Sequence, residues 1–183
     1  MDLAKNSINI SKIIKSVIFA LVGSALLAIS SKIQTPFTLV PATMQTFVVM
    51  FLGIVLGYKL ATLTVIFYLV EGAIGLPVFA KGGGVQYLLG PTGGYLIGFI
   101  FTAFLAGHIK DNKDPIVVFL YLLFSVSIIY IFGLGVLWNY IGFDRSFNEI
   151  FLIGAKPFLL IEIYKILILT VLSKQLFKIK KFI

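Results

Sequence analysis

Long apolar stretches, separated by short polar or glycine- and proline-containing connections, dominate the chain. They cover about residues 13–31, 44–57, 60–74, 91–107, 115–141 and 155–177. A bilayer hydrocarbon core about 30 Å thick takes roughly 20 helical residues to cross, and most of these stretches approach or exceed that length. The pattern therefore predicts an all-α, polytopic membrane protein with six transmembrane helices that form a single domain over residues 1–183.

The connections indicate where the helices begin and end. Pro91 and Pro115 are expected to open the fourth and fifth helices, because a proline in the first turn of a helix loses no helical hydrogen bond. Tyr58 and Lys59 are expected to form a tight turn between the second and third helices. Residues 142–154 are expected to be a polar loop.

Composition excludes several classes of function. Hydrophobic residues make up 60% of the 183 positions and charged residues 12%, which is unlike a soluble domain of this size. Cysteine is absent and histidine occurs once, at position 108, so a closed zinc site would lack nitrogen and sulfur ligands. The run Gly82-Gly-Gly-Val-Gln-Tyr87 lacks the Gly-Lys-Ser/Thr of a phosphate-binding loop. We therefore expect no cofactor and no ATPase within this chain.

Basic residues set the expected orientation. The formal charge is +8, but the lysines are scattered at helix ends rather than gathered in one patch, which argues against a nucleic-acid partner. With both termini inside, the inner helix ends hold ten lysines, at positions 5, 12, 15, 59, 110, 113, 174, 178, 180 and 181. The outer connections then hold four basic residues, Lys32, Lys81, Arg145 and Lys156. Because basic residues favour the cytoplasmic side, both termini are predicted to be cytoplasmic.

Glu162 and Lys165 are charged residues within the sixth apolar stretch. They are three positions apart and so share one helical face, and Lys165 follows Pro157 by about 12 Å along the helix, well inside the bilayer. Isolated charges at that depth are costly, so both side chains are expected to face the protein interior and to form a binding site. An ion pair that only holds helices together is the alternative.

A glycine-rich connection joins the third and fourth apolar stretches. It contains Gly75-Leu-Pro-Val-Phe-Ala80 and Gly90-Pro-Thr-Gly-Gly-Tyr95, in which glycines permit sharp turns and prolines restrict the backbone. With Val40-Pro-Ala-Thr-Met-Gln-Thr46 and Pro157-Phe-Leu-Leu-Ile-Glu-Ile-Tyr-Lys165, these runs resemble the BioY family, the membrane-embedded biotin-binding S components of energy-coupling-factor (ECF) transporters. The resemblance covers most of the chain from Ile33 to Lys165.

The resemblance implies a protein of the cell membrane that captures biotin from outside with high affinity. It also implies that a separate transmembrane coupling subunit and two ATPase subunits energise uptake. Glu162 is expected to accept a hydrogen bond from a ureido N–H of biotin, and Lys165 to donate one to the ureido carbonyl or the valerate carboxylate. The family has aspartate where this chain has Glu162, which keeps the charge and adds one methylene.

Six further residues are expected to contact the substrate: Thr43, Gln45, Tyr87, Tyr95, Trp138 and Asn139. The two in the first outer connection offer neutral hydrogen bonds, and the aromatic residues can wall an apolar ring. Each has an ordinary alternative role. Thr43 can cap the second helix, the tyrosines can pack in the core, and Trp138 can anchor the membrane interface.

Ala20, Ser24 and Ala28 recur at every fourth position of the first helix. Such a stripe of small residues lets another helix approach closely, and the resemblance implies that the coupling subunit docks on it. The alternative is packing against another helix of the same chain.

Other functions remain open from the sequence. A membrane enzyme that uses Glu162 or His108 as an acid or base is disfavoured, because no nucleophile, base and orienting group occur together. An S component for another vitamin, such as thiamine or a flavin, is a second possibility. A third is a biotin uptake protein that acts without an ATPase module.

Overall fold

Seven helices make up most of the chain in a computed structural model that describes residues 10–35, 39–110 and 114–180. They are α1 (Ile10–Lys32), α2 (Gln45–Ala73), α3 (Val85–Leu88), α4 (Gly93–Ala106), α5 (Pro115–Ile141), α6 (Phe147–Gly154) and α7 (Lys156–Lys180). Within these ranges, β structure is limited to two isolated bridges. The predicted all-α class is confirmed. The lysines at positions 5, 113 and 181, which entered the orientation argument, lie outside the described residues.

Three helices in the described ranges are long and apolar enough to cross a membrane: α1, α2 and α5. Helix α4 is apolar but has 14 residues, or about 21 Å at 1.5 Å per residue. Helix α7 has 25 residues but carries several charged side chains, among them Glu162 and Lys165. Length and composition therefore support a multi-pass membrane protein, and the number of six spans stays a prediction.

Helix α2 is a hairpin of two antiparallel arms, residues 45–56 and 58–73. Gly57 lies between the arms with φ 75° and ψ 167°, a backbone conformation that is essentially restricted to glycine. The side-chain amide nitrogen of Gln45 lies 2.7 Å from the Tyr68 hydroxyl oxygen, whereas a straight helix would separate these two positions by about 34 Å. The chain therefore reverses direction at Gly57, and the two arms correspond to the second and third predicted helices.

The turn predicted at Tyr58 and Lys59 is wrong in its position. Both residues are helical and begin the second arm of α2, because the single residue Gly57 makes the reversal. The start predicted for the fifth helix is confirmed at Pro115. The side chain of Asp114 caps this helix by accepting a hydrogen bond from a backbone N–H of its first turn at 2.8 Å.

Two other predicted boundaries are also wrong. Helix α4 begins at Gly93 rather than at Pro91, because a turn in which the Gly93 N–H donates to the Gly90 carbonyl at 3.1 Å precedes it. The predicted loop 142–154 contains α6. The hydroxyl of Ser146 accepts a hydrogen bond from the third residue of this helix at 3.3 Å, which is a typical helix start.

The hairpin α2 is the central element of the bundle. It packs against α1, α4 and α7, and α5 covers α4 and α7 from the other side. Helices α4 and α5 approach each other closely at Gly98, where an added Cβ atom would lie 2.7 Å from the Cα atom of Ile129. Small residues permit such close helix contacts within a membrane.

The two ends of the described chain lie at the same end of the bundle. The C-terminus of α1 contacts the connection that follows α2, with the Ser31 hydroxyl donating to the Val78 carbonyl at 2.8 Å. Helix α1 is about 34 Å long, so Ile10 lies at the far end. Lys180 lies at that far end too, where its ammonium is 3.5 Å from the carbonyl oxygen of Gly107. This arrangement is the one that termini on a shared side of the membrane require.

Replacing Gly57 with alanine is expected to destabilise the protein by about 1–3 kcal/mol, because alanine is strained in this conformation. The measurement is the apparent thermal midpoint in detergent. Gly135→Ala is the matched control, since Gly135 lies inside α5 with no atom within 4 Å of an added Cβ. The control is expected to keep or raise the midpoint. Equal shifts for the two variants would contradict the strained reversal at Gly57.

Candidate binding site

A cavity lies at the end of the bundle that carries residues 39–44 and the connection 74–92. Its volume is about 540 Å³, which includes the solvent at its mouth. Polar groups of Thr43, Gln45, Thr46, Thr92 and Glu162 line it, as do the rings of Tyr87, Tyr95, Phe99, Tyr130 and Phe158. An apolar wall with a few polar groups is typical of a site for a small organic molecule.

Lys165 is held by three acceptors beside this cavity. Its ammonium donates to the Glu162 carboxylate at 2.8 Å, to the Thr46 hydroxyl at 2.7 Å and to the main-chain oxygen of Thr43 at 2.7 Å. Both charged residues are buried, with 5% of Glu162 and 3% of Lys165 exposed. An ammonium group has three protons, so these contacts use all of them. Lys165 therefore joins α7 to the start of α2 and keeps no proton for another molecule.

The two oxygens of the Glu162 carboxylate differ in their hydrogen bonds. Its Oε1 accepts from Lys165 and from the Thr46 hydroxyl, each at 2.8 Å. Its Oε2 is buried and has no hydrogen-bond partner in the part of the chain that the structure describes. Leaving a charged acceptor unpaired in the interior is costly. Because Glu162 lines the cavity, a bound molecule with an N–H or O–H donor can satisfy this oxygen.

Thr43 and Gln45 are bonded to each other at the start of α2. The Thr43 hydroxyl donates to Gln45 Oε1 at 3.0 Å and accepts from the Gln45 backbone N–H at 3.2 Å. The side-chain nitrogen of Gln45 donates to the Tyr68 hydroxyl, which in turn donates to the Val78 carbonyl at 2.9 Å. Thr43 therefore satisfies the first backbone N–H of α2 and also lines the cavity.

Tyr87 and Tyr95 line the cavity with their rings. The Tyr95 hydroxyl donates to the Gly154 carbonyl at 2.8 Å, which fixes the ring and occupies its polar tip. Tyr87 stacks on Phe79, with ring centroids 5.1 Å apart. Both tyrosines therefore pack in the core and form a wall of the cavity at the same time.

Trp138 and Asn139 lie apart from the cavity. The indole N–H of Trp138 donates to the Arg145 carbonyl at 3.1 Å, and its ring packs against Phe143 and Phe147. Asn139 is exposed. Helix α6 and the turn before it occupy the space around the tryptophan, so the structure does not bring these two residues to the other site candidates.

Several cavity residues were not among the sequence-based candidates. Phe158 lies one turn before Glu162 on α7, and this spacing is a signal that could have identified it. Tyr130 and Phe99 lie within uniformly apolar helices, where no local pattern separates a residue that lines a cavity from one that packs in the core. Thr46 follows Gln45 directly, and its contact with Glu162 depends on how α2 and α7 pack.

The small-residue stripe of α1 faces partly inward. Ser24 is 3% exposed, and its hydroxyl donates to the Leu21 carbonyl within the same helix at 3.2 Å. Ala20 and Ala28 are half-buried, and Ala28 packs against the hydrophobic core. Contact with another subunit at Ser24 would therefore need a rearrangement of α1, while the neighbouring apolar side chains of α1 are exposed.

Comparisons with known proteins agree on one family. The model of the family described as the BioY family matches residues 4–182. The chain is 36% identical over 171 residues to the "Biotin transporter BioY" of Thermotoga maritima, covering 92% of this chain and 97% of that protein. It is 35% identical over 153 residues to the "Probable biotin transporter BioY" of Pyrococcus horikoshii, covering 83% of this chain and 90% of that protein.

A solved structure has the same fold. The match is a crystal structure of "the S-component for biotin from an ECF-type ABC transporter", with a TM-score of 0.75 and 26% sequence identity. It covers 92% of this chain and 93% of that one. The helical arrangement described above is therefore that of an S component.

Breaking the buried ion pair on one side is expected to destabilise the protein strongly. Lys165→Met removes all three ammonium contacts and leaves a buried carboxylate without its counterion, at a cost of about 3–5 kcal/mol. The double variant Glu162→Gln, Lys165→Met removes both charges and is expected to recover most of that loss. The test compares apparent thermal midpoints in detergent for Lys165→Met, Glu162→Gln and the double variant. Additive losses of stability in the double variant would contradict this expectation.

Proposed function

The chain belongs to the BioY family, and from this membership we propose that it is the S component of a biotin transporter. It binds biotin and mediates its uptake across the cell membrane, and it is not an enzyme. The relatives and the solved structure described above support this function. The observation that carries the proposal at the level of atoms is the buried Glu162 Oε2, which has no hydrogen-bond partner among the described residues, on a side chain that lines the cavity.

The chemistry of biotin matches the groups of the cavity. Biotin carries a cyclic urea with two N–H donors and one carbonyl acceptor, a thioether ring and a valerate chain that ends in a carboxylate. We assign a ureido N–H to Glu162 Oε2, as a charge-assisted hydrogen bond in a water-poor site. The rings of Tyr87 and Tyr95 pack on the apolar thioether ring.

Lys165 takes a supporting role in this proposal. The family resemblance implied a direct contact of Lys165 with biotin, but its three protons already bond to Glu162, Thr46 and Thr43. We therefore assign it to the placement of the Glu162 carboxylate and of the Thr43 main chain. Gln45 lines the cavity and uses one amide proton on Tyr68, so its second amide proton is the donor assigned to the ureido carbonyl.

The proposed orientation places the cavity at the outer face of the membrane. Six spans, with the two arms of α2 counted separately, leave both termini in the cytoplasm, which the distribution of basic residues favours. The connections 33–44 and 74–92 then lie outside, where they cover the captured biotin. Trp138 and Asn139 lie on the same side but outside the proposed biotin contacts.

Energy for release into the cell comes from other subunits in this proposal. The chain contains no phosphate-binding loop motif, so ATP hydrolysis requires partners. We assign a transmembrane coupling subunit and two ATPase subunits, with α1 as the docking helix. Its exposed apolar side chains, rather than the buried Ser24, offer the contact surface.

Equilibrium binding of labelled biotin to the purified chain in detergent tests the proposed function. Saturable binding that unlabelled biotin displaces, and that thiamine and riboflavin do not, is the expected result. It would show that capture needs no ATPase. Displacement by thiamine or riboflavin would instead identify an S component for another vitamin, and absence of any binding would overturn the proposal.

Glu162→Gln is expected to weaken biotin binding by about 1.5–3 kcal/mol, because it removes the charged acceptor while it preserves the side-chain shape. Glu149→Gln is the matched control. Glu149 is half-exposed and pairs with Arg145 at 3.6 Å, outside the cavity. The affinity of the Glu149→Gln variant for biotin is therefore expected to equal that of the unaltered protein. Equal dissociation constants for both variants in the same binding assay would rule out the Glu162 contact.

A further inference from the structure

The segment that covers the cavity is held in place by hydrogen bonds from neighbouring side chains to its backbone carbonyls. This capping segment, residues 75–90, contributes Ala80 and Tyr87 to the cavity lining. The main-chain oxygens of residues 78, 79 and 80 all accept hydrogen bonds from side chains, at 2.6 to 3.0 Å. Two of the donors, Ser31 and Lys32, end α1, and Gln34 follows it. The fourth donor is Tyr68 in the second arm of α2.

One of these donors continues into the binding site. Tyr68 donates to the Val78 carbonyl and accepts from the side-chain nitrogen of Gln45. Gln45 Oε1 accepts from the Thr43 hydroxyl, and the Thr43 carbonyl accepts from Lys165. A continuous series of hydrogen bonds through Tyr68, Gln45 and Thr43 therefore connects the capping segment to the Glu162–Lys165 pair.

The contacts assign one direction to the hydrogen bonds of this chain. A carbonyl such as that of Val78 only accepts, so the single proton of Tyr68 is committed to it. The Tyr68 oxygen must then accept, which orients the Gln45 amide with its nitrogen toward Tyr68 and its oxygen toward Thr43. The Ser31 hydroxyl, 2.8 Å from the same carbonyl oxygen, is a second donor there, and buried chains of this kind are costly to leave partly unsatisfied.

We propose that Tyr68 and Gln45 are positioning residues that couple the capping segment to the charge pair, so that the segment opens when the chain of hydrogen bonds breaks. The proposal deepens the proposed function, since biotin is the molecule that the segment covers. Tyr68 is fully buried, with 0% exposed, and does not line the cavity. It therefore acts on bound biotin only through the groups that it holds.

The substitution Tyr68→Phe removes only the hydroxyl group. The ring remains to pack edge-on against Phe79, with centroids 5.5 Å apart, so the aromatic core under the segment is kept. What is lost is the donor to the Val78 carbonyl and the acceptor for Gln45. Labelled biotin is expected to dissociate at least about tenfold faster, because a tenfold change corresponds to one buried hydrogen bond of ordinary strength and two are lost.

Hydrogen exchange separates this role from general destabilisation. Within the capping segment, the N–H groups of Val78, Phe79, Gly82 and Gly84 donate to backbone carbonyls, so their exchange reports opening. In Tyr68→Phe they are expected to exchange faster, with and without biotin, while α4 and α5 exchange as in the unaltered protein. This measurement needs no ligand, so it tests the coupling even where biotin fails to bind and the proposed function falls.

Thr102→Val is the matched control. It removes a buried hydroxyl that donates to the Ser125 carbonyl at 2.9 Å, between α4 and α5, and is expected to leave biotin dissociation and exchange of the capping segment unchanged. Ser31→Ala removes a hydroxyl that lies 2.8 Å from the Val78 carbonyl oxygen and 2.7 Å from the Ala28 carbonyl oxygen. It is expected to accelerate both, which provides a second test should Tyr68→Phe fail to fold. Unchanged exchange of the segment in a folded Tyr68→Phe or Ser31→Ala protein overturns the proposal.

Discussion

The ammonium group of Lys165, buried away from water and lipid, constrains the arrangement of everything around it. At low dielectric an unpaired charge is far more costly than any single packing contact, so all three of its protons need acceptors. One acceptor lies on the same helix, and two come from the start of α2. Satisfying Lys165 therefore fixes the position of α7 relative to α2 and places one oxygen of Glu162 at the cavity.

The hairpin in α2 gives this pair its connection to the rest of the bundle. Because the chain reverses at Gly57, the start of the first arm and the end of the second arm are neighbours. Gln45 is hydrogen-bonded to Tyr68 of the second arm and to Thr43. The main-chain oxygen of Thr43 in turn accepts from Lys165. The same helix therefore supplies cavity-lining residues, Gln45 and Thr46, and Tyr68, which holds the capping segment.

Sequence reasoning identified the parts whose signal is local. Apolar length gave the helices, proline gave the start of α5, and the cost of intramembrane charge singled out Glu162 and Lys165. It failed where the outcome depends on tertiary contacts. That Lys165 has no free proton follows from the approach of Thr43 and Thr46, which lie more than one hundred positions away in the chain. Tyr68 and Tyr130 occur in apolar helices without a distinguishing neighbour, and α6 depends on a Ser146 cap within a stretch that reads as a loop.

The charge content of α7 has a consequence for how the protein is made. A glutamate and a lysine near the middle of a helix each oppose its transfer from the insertion machinery into lipid by roughly 2.5–3.5 kcal/mol when they are alone. Because α7 follows α2 in the chain, it leaves the ribosome after α2, and two of the acceptors for Lys165 belong to residues 43 and 46. In the proposed six-span arrangement, α7 therefore inserts next to helices that already lie in the bilayer. The order of synthesis supplies the partners before the charges arrive, so the buried pair is compatible with membrane assembly.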